Sequence, residues 1–233
     1  GTAADAFAPS RAKKWKDPQG GYIHALHRHH WGGFHYQITG KDAQHNVTYE
    51  GGWQNNRQLG MHPDLRMVEN IFEELDAAGE WYHDSSERKL YYQPEDSTDL
   101  NRALVEVVRL KHLVEFHGDM TAPVKHIRLQ GLILRHTARS FMQTKEPLLR
   151  SDWTIYRGGA VLINGAEDCV VADCEFDQLG GNSVFVNRYN RRITITGCHI
   201  HGSGASGVCF VGDPGAVRNP RFEYGQTHSY DEI

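Results

Sequence analysis

The 233-residue sequence predicts an all-β fold, with a right-handed parallel β-helix over residues 101–233. An irregular β-rich segment with one short helix precedes it over residues 1–100. Two observations predict this fold. The C-terminal half carries an internal repeat of short alternating strands, and such a period indicates a solenoid. Glycine accounts for 24 of the 233 residues, more than the usual share of about 7%, as suits a chain rich in turns.

The N-terminal segment combines strand-like pieces with glycine pairs. Residues 34–38 alternate in polarity and predict a strand. Residues 67–78 place apolar side chains at helical spacing, and Gly79 follows as a stop, so a short helix is expected there. Two aromatic runs within residues 80–92 flank a polar turn and predict a hairpin.

The repeat sets the register of the β-helix. The segment from Ala166 aligns with the segment from Asn190 at an offset of 24, and an earlier copy from Val124 aligns at an offset of 42. The excess of 18 residues predicts an insertion within 138–157. Three strands per period and no helix are typical of a parallel β-helix, in which like residues stack about 4.8 Å apart. A β-sandwich or a propeller, the alternatives, would need hairpin turns and would not repeat in one register.

The alignment divides side chains between the inside and the outside of the coils. The expected stacked pairs are Cys169 and Ile193, Val171 and Ile195, Cys174 and Cys198, Phe176 and Ile200, Val184 and Val208, and Val186 and Phe210. The four cysteines form no CxxC pair, so neither a zinc nor a redox site is expected. Parallel stacked side chains rarely reach disulfide geometry, and buried free thiols are therefore predicted.

Two columns of polar side chains face outward on the second strand. One holds Arg135, Asp177 and His201, and the other holds Glu175 and His199. The columns could form an active-site wall, or an exposed ladder of ion pairs worth less than about 1 kcal/mol each. The ladder is the favoured interpretation.

Candidate ligand-binding residues come from three places in the chain. The His-rich stretch over 24–35 could bind a metal, but no carboxylate or cysteine stands at a matching spacing, so carbohydrate contact is favoured and no metal or cofactor is predicted. A Trp followed by polar residues at 53–57 has the same character, and the third-strand edges add polar groups. The predicted substrate-binding residues are His30, Trp31, Trp53, Asn55, Asn56, Arg57, Asn182, Asn187, Arg188 and Asp213.

Charge and composition limit the function classes. The net charge is −4, which disfavours electrostatic binding of nucleic acid, and no apolar run approaches the roughly 18 residues of a membrane span. A glycosidase would use two carboxylates. No confident pair stands out, and Glu73 and Glu74 are interpreted as solvated residues of the predicted helix. The catalytic residues stay unknown.

The sequence also resembles a known family. The run VENIFEELDAAGEWYHDSSERKLYYQPED at 68–96, the stretch at 20–42 and GGWQNN at 51–56 resemble glycoside hydrolase family 141, which includes α-L-fucosidases and xylanases. The resemblance covers most of residues 20–211. It implies a β-helix enzyme of secreted or periplasmic bacterial type that acts on a plant or algal polysaccharide.

The resemblance leaves catalysis open, because members of that family are much longer and their proposed catalytic aspartates lie in later coils. We therefore expect this chain to be the N-terminal part of a longer protein, with further C-terminal coils as its partner. A β-helix polysaccharide lyase and a non-catalytic glycan-binding module are the alternatives.

Overall fold

The computed structural model describes residues 7–55, 60–143 and 153–213. They divide into two compact units between Val105 and Glu106, and Trp153 belongs with the first. No helix among the described residues has the length and apolar character needed to cross a membrane.

The first unit is built on an antiparallel sheet with the strand order β3-β2-β1-β4. Alternate residues of β1 and β2 point inward, and Ile23, Phe34 and Ile38 pack with Trp15 in a core of their own. A one-turn helix, α1, lies ahead of the sheet. The bounds are α1 Pro9–Ala12, β1 Tyr22–His27, β2 Gly33–Lys41, β3 Val47–Gly51 and β4 Met61–Glu69.

The helix predicted over 67–78 is wrong. Strand β4 continues through Glu69, and only Phe72–Glu74 form a single turn of 3-10 helix. Val68 pairs with Ile23 across the sheet, so strand pairing overrides the helical spacing of the apolar residues. The predicted hairpin is confirmed, with strands β5 (Trp81–Asp84) and β6 (Lys89–Tyr92) paired antiparallel.

The second unit is a right-handed parallel β-helix, as predicted. Three parallel sheets run along it, with the strand orders β10-β13-β16, β17-β14-β11-β7 and β15-β12-β9, and β8 also pairs with β11. The strands are β7 Val114–His117, β8 Val124–Lys125, β9 Arg128–Gln130, β10 Ile133–Thr137, β11 Val161–Glu167, β12 Val170–Ala172, β13 Glu175–Leu179, β14 Val184–Arg191, β15 Thr194–Thr196, β16 His199–Ile200 and β17 Val208–Val211.

The register of the coils agrees with the repeat. Val171 lies between Leu129 and Ile195 in its sheet, which reproduces the offsets of 42 and 24. The predicted insertion is also present, because 23 residues separate β10 from β11 whereas four separate β13 from β14. The extra length therefore lies outside the coils and leaves their stacking intact.

The inward residues form a continuous apolar core. Phe176 is fully buried between Leu134 and Ile200, and burial of a side chain of this size stabilises by about 1.5–3 kcal/mol. All four cysteines are free thiols, as predicted, and Cys174 packs in this core. On the last described coil the equivalent layer is open: Phe210 is 64% exposed above the buried Val186.

The corners of successive coils share one backbone conformation. Residues with left-handed φ recur at the same place in each coil, which turns the chain sharply between sheets. The three stacked sets are His126, Asp168 and Arg192; Gly131, Asp173 and Gly197; and His136, Gln178 and Gly202. Six of these nine are not glycine, so the ladder of parallel strands imposes the conformation on them.

Candidate functional site

The turn between β1 and β2 presents an aromatic surface. Trp31 is 60% exposed and lies flat on the buried His27, with ring centroids 5.2 Å apart and planes 11° from parallel. The backbone N–H of His27 donates to Gly32, and that of His30 donates to His27, so the turn is closed from within. The indole is therefore held in one orientation with its outer face to solvent.

A second ring pair borders this turn. His30 has φ 60 and stacks against His62 with centroids 4.9 Å apart. Both rings carry hydrogen-bonding nitrogens beside the apolar indole of Trp31. The structure thus brings together the predicted residues His30 and Trp31, and adds His62, which the sequence analysis did not select.

The predicted residues at 53–57 lie differently. Trp53 is half-buried, and Asn55 is buried and pairs with Trp153 through an isolated β-bridge. Asn55 therefore offers almost no surface to a ligand. Asn56 and Arg57 lie outside the described residues.

A chain of three polar side chains crosses the sheet of the first unit. The Nδ1 atoms of His24 and His35 are 2.8 Å apart, and His24 Nε2 lies 2.9 Å from Glu69 Oε2. Burial, reinforced by the neighbouring His24, lowers the pKa of His35 to about 4. His35 is thus a neutral imidazole near pH 7. Cross-strand pairing brings the three residues together, and sequence spacing alone does not reveal it.

The carboxylates near this sheet have structural partners. Glu74 accepts hydrogen bonds from Arg11 and from Trp15 Nε1, and Glu73 accepts one from the backbone N–H of Lys16. Burial opposes ionisation of Glu74, yet these donors lower its pKa. The interpretation of Glu73 and Glu74 as solvated helix residues is wrong, because they tie the N-terminal turn to the 3-10 helix. A cavity of about 450 Å³ lies beside Glu69, Glu74 and Trp81.

In the β-helix, Asn182 is 1% exposed. Its Nδ2 donates to the carbonyls of Tyr156 and Gly158 at 2.9 and 2.8 Å, and its Oδ1 accepts from the backbone N–H of Ser206 at 3.1 Å. The side chain joins neighbouring turns and has no free surface for a substrate.

The other predicted residues of the β-helix lie at its edge. Asn187 donates to Asn164 Oδ1 and accepts from Arg157. Arg188 and Asp213 are exposed and form an ion pair with 3.8 Å between Arg188 Nε and Asp213 Oδ2. A shallow cavity of about 330 Å³ beside Arg188 opens at the last described coil, so this edge is accessible.

The predicted polar columns lie on the face of the sheet formed by β10, β13 and β16. Arg135 Nη2 is 3.4 Å from Asp177 Oδ2, and His201 Nδ1 is 3.3 Å from Asp177 Oδ1. His201 Nε2 is also 3.2 Å from Glu175 Oε1, and the rings of His199 and His201 stack at 4.4 Å. The two columns are therefore joined diagonally, which the sequence analysis did not predict.

Comparison with known proteins agrees with the fold. A family model described as a right handed beta helix region matches residues 150–230. A solved structure titled "Glycoside hydrolase" is similar with a TM-score of 0.60 at 20% sequence identity, over 79% of this chain and 37% of that one. The chain thus spans well under half the length of that protein. No curated protein matches the chain.

Proposed function

We propose that this chain is a glycoside hydrolase-like protein that acts on a plant or algal polysaccharide, and that Trp31 is its main sugar-contact residue. The observation that carries the proposal is the exposed indole of Trp31, held flat on His27. The likeness of the fold to a solved glycoside hydrolase supports the same class.

The Trp31 surface has the chemistry that a sugar ring requires. A pyranose has an apolar face of C–H groups and a rim of hydroxyls, and a flat aromatic ring bordered by hydrogen-bonding groups complements both. Covering about 60 Å² of the indole would contribute about 1.5 kcal/mol. His30 and His62 lie beside the turn and would bond the hydroxyls. We propose Arg188 and Asp213 as further contacts, because both are exposed at the edge of the β-helix.

We propose that the catalytic carboxylates lie in further coils that stack on β17. Phe210 is largely exposed on that strand, although Val186 directly below it is buried, and a following coil would cover it. The length of the similar glycoside hydrolase is in keeping with such coils. A polysaccharide-degrading protein of this type would be secreted or periplasmic in a bacterium.

The proposal is tested by affinity electrophoresis in gels that contain soluble polysaccharides, among them a xylan and a fucose-containing algal polysaccharide. We expect retardation by at least one of them, and about tenfold weaker binding for Trp31→Ala, as the loss of about 1.4 kcal/mol requires. Trp81→Ala is the matched control, since Trp81 is similarly exposed in β5 and does not stack on His27. Equal loss in both variants, or no retardation in any gel, would contradict the proposal.

Activity assays on a panel of aryl-glycosides and polysaccharides separate the alternatives. Release of reducing sugar by the chain joined to further coils would support a hydrolase, whereas unsaturated products that absorb in the ultraviolet would indicate a lyase. Binding without turnover in both forms would indicate a glycan-binding module.

A further inference from the structure

The two polar columns of the β-helix form a compact set of metal-ligand atoms. Glu175, His199 and His201 each offer one ligand atom, and these three atoms lie within 4.8 Å of one another. We infer that Glu175, His199 and His201 bind a divalent transition-metal ion of the zinc type. This inference does not depend on the proposed function.

The backbone places the three side chains on one surface. His199 and His201 are two residues apart along one strand direction, so both point outward while Ile200 between them packs on the core. Glu175 is paired with His199 in the adjacent coil. The backbone N–H groups of His199 and His201 donate to Cys174 and Phe176 at 2.9 and 3.0 Å, so the parallel ladder fixes where each side chain begins.

The spacing of the donors suits one small ion. Zinc bonds nitrogen and oxygen ligands at about 2.0–2.1 Å, so two ligands at a tetrahedral angle are about 3.4 Å apart. His201 Nε2 and Glu175 Oε1 are already 3.2 Å apart. The ring of His199, stacked on that of His201, needs only a small rotation to bring a nitrogen to the same centre.

The surroundings of His201 also favour an ion. Each of its ring nitrogens faces a carboxylate oxygen, Glu175 on one side and Asp177 on the other. A neutral imidazole has a single N–H and can donate to only one of them. A metal between Nε2 and Glu175 would leave the Nδ1–H to donate to Asp177, the carboxylate–histidine–metal arrangement common in zinc proteins. Arg135 holds the other oxygen of Asp177 and keeps it in place.

The ligand set selects the kind of ion. Two imidazoles with one carboxylate suit zinc and its neighbours, whereas calcium and magnesium take oxygen ligands. Three protein ligands leave a position for water, as in zinc sites that exchange ligands. An exposed ladder of ion pairs, the interpretation favoured from sequence, would require neither the stacked imidazoles nor the diagonal contact between Glu175 and His201.

The test is a calorimetric titration of the metal-stripped chain with Zn²⁺, with Ca²⁺ as the comparison ion. We expect one tight Zn²⁺ site per chain that is lost in the His199→Asn/His201→Asn double variant, with no matching Ca²⁺ site. Asp177→Asn should keep the stoichiometry and weaken binding by about 10–100-fold, because Asp177 positions His201 and does not bind the ion.

A control is needed because the sequence contains 15 histidines. His117→Asn is matched, since His117 pairs with Glu115 on β7 of the same β-helix but has no second histidine in its cluster. This variant should bind Zn²⁺ as the parent chain does. Circular dichroism confirms that each variant folds. The absence of a tight Zn²⁺ site, or a tight site that the double variant retains, would overturn the inference.

Discussion

Asn182 offers a sharp test of how the β-helix is held together. The change Asn182→Ala removes three hydrogen bonds, two donated by Nδ2 and one accepted by Oδ1. The side chain is buried, so water cannot replace them. At about 1 kcal/mol for each bond, the variant should lose about 3 kcal/mol of unfolding free energy.

Amide hydrogen exchange in β11 measures this loss locally, since β11 pairs directly with β14, which begins two residues after Asn182. A loss of about 3 kcal/mol corresponds to exchange more than 100-fold faster where exchange occurs through unfolding of this unit. Asn187→Ala is the control, because Asn187 is only half-buried and water can reach its partners. A change below about 1 kcal/mol, or one no larger than in the control, would refute the structural role of Asn182.

Two further predictions concern the first unit. A Cβ at Gly32 would lie 2.6 Å from Trp153 Cε2, so Gly32→Ala should cost about 1–3 kcal/mol, while Gly33→Ala, whose Cβ would meet nothing closer than 3.8 Å, should leave the melting temperature nearly unchanged. Equal melting temperatures would show that the Trp153 contact is unimportant. Burial lowers the pKa of His35 to about 4 against 6.5 in the unfolded chain, so stability that is present above pH 6.5 should be lost as the pH falls towards 4. An NMR titration should place its midpoint near 4, and a midpoint near 6.5 would contradict the burial argument.

The β-helix could be predicted because its stacking repeats in the sequence. Val171, Phe176 and Val186 stand at fixed offsets from their partners, and one alignment gives all the parallel pairs. The helix at 67–78 failed for the opposite reason. Val68 and Ile71 fit a helical period locally, but the partner of Val68 is Ile23 in another part of the chain, and no local pattern encodes that pairing.

The candidate sites were only partly predictable. His30 and Trp31 stand together in the sequence and in the structure, whereas their neighbour His62 comes from β4. The columns that contain Glu175 and His201 followed from the register, but their diagonal contact depends on side-chain rotation, which an alignment does not contain. Asn182 lies at the expected edge, and its burial depends on how neighbouring turns close over it.

The stacked left-handed corners determine where this protein can accept additional sequence. Between two corners, one inserted residue would reverse the facing of every side chain up to the next corner and push core residues such as Phe176 into water. Between β10 and β11 the chain already accommodates a long excursion without disturbing a single rung. New loops, tags or binding segments can therefore be grafted into that connection, while the lengths inside a coil allow no change.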